Sequence, residues 1–514
     1  LVEWGAIGLK LPELVLRLIG GRLYDRYLKY KIRRDIRLGS GKKLGILLAR
    51  LADDTPTDSF RTTLYETIRR ELGDAVELTN WPEIEALGDG HEYDIERRAY
   101  EKTQQVLKDR NCDLLVSGRV KGRSGDSAVL SLHFTVAEAA GGNPESYKLT
   151  DTFDLPADFV SDLGAAISAR IIITAAPAIH MTGQYLVPIL RAAAERFEPI
   201  VRRLNPRFNA AIRGSLLFNY GVVQAVIGEQ AGLNDPLLKA IEAYRAALAE
   251  RARNRAPFAW AVTKNSLGNA LARLGRRDNN TRRLEQAIDA FQEALSEFTP
   301  ENAPLHWAMA QTNLGAALRI VGERTDDIEM LGLAVQAQRN ALLERTRERV
   351  PFEWALSQNN LGNALGTLGN YEIGTSLLEQ AVTAFRAALT ERTRDRVPVH
   401  WAETQGNLGN ALRLLGEREA GTTHLEEATE AFHAAMLEFT REKMPIAWAT
   451  AQDNLGLALQ EIAKRKNSVD LINQAIAAHK QAIEAFKQAI ASGPLEKASR
   501  HLECAELVLK SLRK

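Results

Sequence analysis

The chain repeats itself. A P-x-x-W-A segment opens at Pro257, Pro304, Pro351, Pro398 and Pro445, and sets Trp260, Trp307, Trp354, Trp401 and Trp448 at a constant spacing of 47 residues. Gly268, Gly315, Gly362, Gly409 and Gly456 keep the same spacing, as do Ala287, Ala334, Ala381, Ala428 and Ala475, with Phe291, Phe385 and Phe432 four residues after three of those alanines. A fixed period of this length marks stacked supersecondary units. At about 100° per residue, Trp260, Leu267, Leu271 and Leu274 fall on one stripe, which the spacing predicts to be a buried helix face. Leu284, Ala287, Ile288, Phe291, Ala294 and Leu295 form the matching stripe of a second helix, so each unit reads as a helix pair. Pro257 suits a first helical turn, and Gly275, Gly322, Gly369 and Gly416 suit a C-terminal one. Ser376-x-x-Glu379 and Thr423-x-x-Glu426 read as capping boxes, and Gly268 as a point of close backbone approach.

These residues resemble the tetratricopeptide repeat, whose pattern runs through Trp260, Leu267 and Gly268, Leu271, Ala287, Phe291, Ala294 and Pro304. The unit of that family has about 34 residues, so the excess here falls in the hairpin loop and in the elbow between units. The N-L-G-N-A-L wording is similar to the repeats of kinesin light chains and of cell-polarity adaptors. The resemblance covers a little over half of the chain and implies an all-α right-handed superhelix that binds proteins. Subtracting one period from the first clear unit predicts a degenerate unit over 207–256, making six helix pairs over 207–493. Gly493-Pro494 then stops the helix. Leu495, Ala498, Leu502, Ala505, Leu509 and Leu512 define a capping helix over 494–514, which an open stack needs.

Upstream, the pattern changes. Leu44 to Leu51 reads as a strand, 58–72 as a helix, Val76 to Trp81 as a strand, 93–110 as a helix, then come strands at 113–120, 128–138 and 146–155 and a helix from Ala157. The order β-α-β-α-β-β-β-α makes 44–176 an α+β domain with a mixed sheet. The strand at Leu44 to Ala49, the Cys112-Asp113-Leu114-Leu115-Val116-Ser117-Gly118-Arg119-Val120 segment and Ala128 to Leu132 resemble the amino-terminal domain of the TolB family, although Arg50-Leu51 replaces its proline-phenylalanine. That resemblance implies a binding or sensing module of a bacterial regulatory or signalling protein. A connector at 177–206 carries Pro188 and Pro199, which should break helices into short pieces.

Residues 1–43 form an amphipathic and then basic helical segment. Between Arg22 and Lys43, nine Lys/Arg face Asp25 and Asp35, with Tyr24, Tyr27 and Tyr30 interleaved. A solvated helix leading into the next domain and an anionic membrane surface or partner are the two readings. The best apolar run, Leu1 to Ile19, is interrupted by Glu3, Lys10, Glu13 and Arg17, and no transmembrane span is expected. The formal net charge of +1 disfavours nucleic acid as a general partner. Oligomeric state is not legible. Cys112 and Cys504 provide neither a disulfide framework nor a zinc spacing. A cytoplasmic location fits, or a periplasmic one if a signal peptide has been removed; the chain opens at Leu1, so an upstream segment is expected.

Catalytic patterns fail one by one. Gly39-Ser40-Gly41-Lys42-Lys43 lacks the first glycine and the Ser/Thr of a phosphate loop and precedes its strand. No H-E-x-x-H, G-x-S-x-G or Cys/His cluster occurs in the sequence, and His306 and His400 simply share a repeat position. No enzyme activity, cofactor or metal is expected. Arg253, Arg347, Arg394 and Arg441, followed by Arg255, Arg349, Arg396 and Lys443, recur on the elbows; with Glu348, Asp395 and Glu442 among them they read as an ion-pair-laced surface, with an acidic-partner stripe as the alternative.

The candidate binding residues lie opposite the tryptophans. At offsets of five, six and nine from each Trp, roughly 140°, 240° and 180° round the helix, stand Asn265 and Asn359, then Asn313, Asn360, Asn407 and Asn454, then Asn269, Asn363 and Asn410. Asparagine is a poor helix former, and its amide offers both a donor and an acceptor to the backbone of an extended peptide. Arg319 and Arg413 share the face. Offset six has a second reading, a hydrogen bond to the adjacent helix that fixes the stacking. The expected function is a non-enzymatic interaction scaffold or regulatory sensor, or the regulatory part of a larger enzyme whose catalytic domain lies upstream.

Overall fold

The computed structural model describes residues 21–35, 43–54, 59–84, 93–121, 129–137, 153–156, 163–180 and 187–513. They form two compact units, one ending at Ala303 and one beginning at Pro304. The Gly39–Lys42 segment lies outside the described residues.

In the first unit, helix α1 (Gly21–Asp35) precedes β1 (Leu44–Arg50), α2 (Ser59–Leu72), β2 (Val76–Ile84), α3 (Tyr93–Arg110), β3 (Leu114–Lys121), β4 (Val129–Val136), β5 (Phe153–Pro156) and α4 (Gly164–His180). This is the expected element order. The sheet runs β2-β1-β3-β4-β5, with β1 parallel to β2 and β3, and β4 antiparallel to β3 and β5. A helical crossover joins each of the parallel strands β1, β2 and β3 to the next, whereas the short β3–β4 connection reverses the chain. Leu44, Ile46 and Leu48 of β1 join the main core with α2 and α4, while Leu47 and Ala49 meet Trp81, Leu107 and Leu115 on the opposite face. Both faces are covered, which is why the β1 sequence is apolar without alternation. Asp113 ties this sheet together: its carboxylate accepts from Gly45 N at 2.7 Å, and its own N–H donates to Gly45 O.

The basic helix α1 docks onto this domain. Leu28 and Ile32 lie in the core, and buried Glu71 gathers Lys29 (3.1 Å) and Arg196 (2.6 Å), the latter also holding Asp25. Arg33 donates to the Glu71 carbonyl at 3.1 Å. Part of the basic charge thus serves contacts within the chain. Helix α5 (Val187–Arg202) contains Pro199 without breaking, contrary to expectation; the proline sits in the last turn, where only one intrahelical bond is forfeited. Helix α6 (Ala210–Ala231) is long and apolar enough to cross a bilayer, but Ile212, Leu216, Tyr220, Val223 and Ile227 belong to the core shared with the sheet.

Helix pairs follow. The first unit holds α6 with α7 (Asn234–Glu250) and α8 (Pro257–Arg277) with α9 (Thr281–Leu295). The second holds α10 (Pro304–Thr325) with α11 (Ile328–Glu344), α12 (Pro351–Tyr371) with α13 (Ser376–Leu389), α14 (Pro398–Arg418) with α15 (Thr423–Ala435), and α16 (Pro445–Lys466) with α17 (Val469–Gln488), closed by α18 (Ser492–Leu512). Each proline opens its helix as expected. Pro494 is no stop; it lies in the first turn of α18. In α18, Ala498 and Ala505 are fully buried against α16 and α17.

One steric device recurs in every pair. A Cβ at Gly268 would stand 2.6 Å from the Phe291 ring, at Gly362 2.7 Å from Phe385, and at Gly409 2.8 Å from Phe432. The close approach is therefore ring on helix rather than backbone on backbone. Gly221 faces Tyr244 likewise, Gly315 faces Gln338, and Gly456 faces His479. Gly275, Gly322, Gly369 and Gly416 lie inside their helices against leucines of the second helix and are not C-caps. The capping boxes also shift: α13 and α15 begin after Thr375 and Thr422, without a side-chain cap, whereas Asn280, Asp327 and Ser468 do cap their helices. The last turn of a first helix instead caps its predecessor. Arg418 donates to the carbonyls of Gly369 (2.8 Å) and Gly374 (2.6 Å), and Arg277 to those of Gly228 and Leu233, satisfying groups a helix end leaves orphaned.

Candidate functional site

Within each unit a first helix packs against its own second helix, the second helix before it and the neighbouring first helices. In α12 the buried residues Ala355, Ser357, Asn359, Gly362, Ala364, Leu365 and Gly369 occupy an arc that leaves a strip about 140° wide. Offset five falls inside that arc. Asn265 (3 % exposed) and Asn359 (7 %) are accordingly buried, which corrects their placement on an exposed face. Offsets six and nine fall on the strip: Asn269 in the first unit, and Asn313, Asn360, Asn363, Asn407, Asn410 and Asn454 in the second, are all half-buried. Asn407 donates its amide to Asn359 Oδ1 at 3.2 Å, a bond between successive first helices of the kind that fixes stacking. Arg413 donates to Asn410 Oδ1 at 3.0 Å and pairs with Glu417, and Arg319 pairs with Glu323 at 2.8 Å. The strip is thus rich in amides whose guanidinium neighbours are already oriented.

The tryptophans are half-buried rather than buried. They stand in the first turn, at the margin of the packed layer, where elbow arginines cover their faces: Arg253 lies over Trp260 at 5.2 Å, Arg347 over Trp354 at 5.7 Å, Arg394 over Trp401 at 5.8 Å and Arg441 over Trp448 at 6.0 Å. Each of these arginines also pairs with a glutamate about one period on: Glu297 (2.5 Å), Glu391 (2.7 Å), Glu438 (2.7 Å) and Glu484 (3.0 Å). Arg349 and Arg396 add pairs with Glu344 and Glu391. The elbow arginines are laced by ion pairs as expected, but to Glu297, Glu344, Glu391, Glu438 and Glu484 rather than to the interspersed Glu348, Asp395 and Glu442, and with the arginine stacked on an indole.

A second arginine series is buried and escaped the sequence reading. Arg251, Arg345 and Arg392 reach the hydroxyls of Thr263 (3.1 Å), Ser357 (3.2 Å) and Thr404 (3.1 Å), each twelve residues on. Burial pushes the Arg345 and Arg392 guanidinium pKa down to about 10, against a small opposing effect of Glu353 and Glu403 respectively. In the two remaining units the arginine position is Phe298 or Phe439, and the hydroxyl position is Ala310 or Ala451. Arginine comes with a hydroxyl and phenylalanine with alanine, a pairing visible in the sequence once the contact is known.

The last pair departs from all others. His479 takes the position used by Tyr244, Phe291, Gln338, Phe385 and Phe432, and is fully buried. Its Nδ1 lies 2.7 Å from Asp453 Oδ1, and His501 Nδ1, brought in by α18, lies 2.9 Å from Asp453 Oδ2. Burial raises the Asp453 carboxyl pKa, but the bonds from His479 and His501 outweigh it and hold the group below its ordinary value. Spacings of 26 and 22 residues on three helices match no local metal motif, so only the fold reveals this cluster.

A comparison with curated proteins finds no match. Among solved structures, the chain is similar to a Rap protein complexed with competence and sporulation factor (11 % identity, 82 % of this chain and 95 % of that one, TM-score 0.35). It is also similar to the C-terminal part of a repeat protein from Cytophaga hutchinsonii (14 % identity, 62 % and 97 %, TM-score 0.34), and to the TPR2AB domain of yeast Sti1 in its pHSP90 complex (15 %, 51 % and 92 %, TM-score 0.18). Residues 354–391, from Trp354 on α12 to just beyond α13, match the family model described as tetratricopeptide repeat.

Proposed function

We propose that the chain is a non-enzymatic interaction scaffold or regulatory sensor, and that the first helices of its second unit bind an extended segment of a partner protein. The observation that supports this reading is the strip of half-buried amides. Asn360, Asn363, Asn410 and Asn454 recur on it where ordinary helix formers would serve stability better. Half-buried amides hold their rotamers, so they can meet peptide N–H and C=O groups at a small ordering cost. The sheet domain, with its resemblance to the TolB amino-terminal domain, is read as a second binding module. The test is affinity capture with the intact chain, followed by direct titration of the identified partner segment. Replacement of Asn363 and Asn410 by alanine should weaken that binding by about 1–3 kcal/mol and leave the Tm nearly unchanged; an unaltered affinity overturns the reading.

A further inference from the structure

Asp453, His479 and His501 hold the three helices that close the C-terminal end of the second unit, and their ligand atoms all lie within 4.8 Å of one another. We propose that they form a binding site for a divalent transition-metal ion of the zinc class, which locks α18 onto the last helix pair. Four observations converge. First, the chemistry is local to this pair: the positions equivalent to Asp453 are Phe218, Asn265, Thr312, Asn359 and Gly406, none of them charged, and those equivalent to His479 are mostly aromatic. An acid and an imidazole have therefore been placed together in a slot that the repeat otherwise fills with neutral residues.

Second, the carboxylate is 7 % exposed, and among the described residues its hydrogen-bond and ion-pair partners are the two imidazoles, with no lysine or arginine on it. A buried charge calls for a paired charge, and a dication between these three groups supplies it. Third, two imidazoles and one carboxylate are a donor set that zinc accepts with a water or another oxygen at the fourth position. The present hydrogen bonds of 2.7 and 2.9 Å bring the lone-pair atoms together, so that small side-chain movements suffice to admit metal–nitrogen bonds of about 2.0 Å. Fourth, His479 Nε2 is buried without a hydrogen-bond partner, whereas the His501 side chain is 32 % exposed. The inner ring thus hydrogen-bonds only within the cluster, and the outer ring marks a route for the ion and its fourth ligand.

The test uses the intact chain stripped of metal with a chelator. Titration of Zn2+ by calorimetry should give one equivalent bound with a Kd of about 1 µM or below, with proton release that depends on pH. Co2+ in its place should give a tetrahedral ligand-field spectrum, and saturating Zn2+ should raise the Tm by several degrees through linkage. His479→Phe restores the ring that Phe291, Phe385 and Phe432 supply in the same slot, so it should fold normally and lose at least about tenfold in zinc affinity. Cys504→Ser, on the exposed side of α18, should bind as the native chain does. Absence of saturable binding, or equal binding by the His479→Phe chain, overturns the site and leaves a hydrogen-bonded triad.

Discussion

Arg392 and Thr404 offer a sharp test of how the repeats are held together. Arg392 is 2 % exposed, and its guanidinium spends one N–H on Thr404 Oγ1 while Nε finds no partner. Thr404, fully buried, passes its own proton to the His400 carbonyl at 2.8 Å. Thr404→Ala alone removes an acceptor from a buried cation and should cost about 2–3 kcal/mol, the range for hydrogen bonds to charged groups. Arg392→Phe alone leaves Thr404 its bond to His400 and fills similar volume, so it should cost about 1 kcal/mol. The double substitution reproduces the Phe439 and Ala451 arrangement of the last elbow and should fall within about 1 kcal/mol of the native chain, because a buried ionic group is often replaceable by well-packed apolar residues. The implied coupling is about 2 kcal/mol. Repeat arrays need not unfold in one step, so urea midpoints should be read together with hydrogen exchange of the α14 amides. A double variant at least as unstable as the sum of the single ones would refute the idea that arginine–hydroxyl and phenylalanine–alanine are interchangeable solutions.

Further outcomes follow from the same geometry. Gly362→Ala drives a methyl to 2.7 Å from Phe385 and should destabilise by about 1–3 kcal/mol, with recovery when Phe385 is shortened to leucine; melting curves of the two chains check this. Arg418→Ala frees the Gly374 carbonyl and leaves Gly369 O only its bond from Glu372 N, so it should cost about 1 kcal/mol, seen as faster amide exchange in the last turn of α12. The lowered Asp453 pKa means that the unfolded chain takes up this proton first on acidification. Its stabilising contribution is therefore full above the ordinary carboxyl value and is lost as pH falls through the folded one, so metal-free Asp453→Asn should show a flatter acid-unfolding profile below the ordinary carboxyl value.

The helix pairs were legible because their signal is periodic: Pro257, Gly268 and Phe291 recur in register, and each has one steric job. The mixed sheet was legible from the element order, and the burial of β1 on both faces from its lack of alternation, while the strand order β2-β1-β3-β4-β5 was not. What escaped the sequence was whatever depends on three-dimensional neighbours. Asn359 lies only one residue from the strip, but Asn407 of the next first helix bonds to it and keeps it in the buried arc. Trp260 carries the strongest motif and is nonetheless half-exposed, because its place in the first turn puts it at the margin of the layer. Arg392 and Thr404 keep a fixed spacing of twelve, but that spacing crosses from an elbow into a helix and belongs to no known motif; Asp453, His479 and His501 come from three helices, and no short spacing links them.

The central claim, that the amide strip receives a partner segment, is tested most directly by a photo-crosslinking side chain placed either at Asn363, on the strip of α12, or at Leu343, which is 67 % exposed on second helix α11. With the partner identified by capture, irradiation should join it to the chain from position 363 and not from 343. Adducts from 343 with none from 363 would contradict the account.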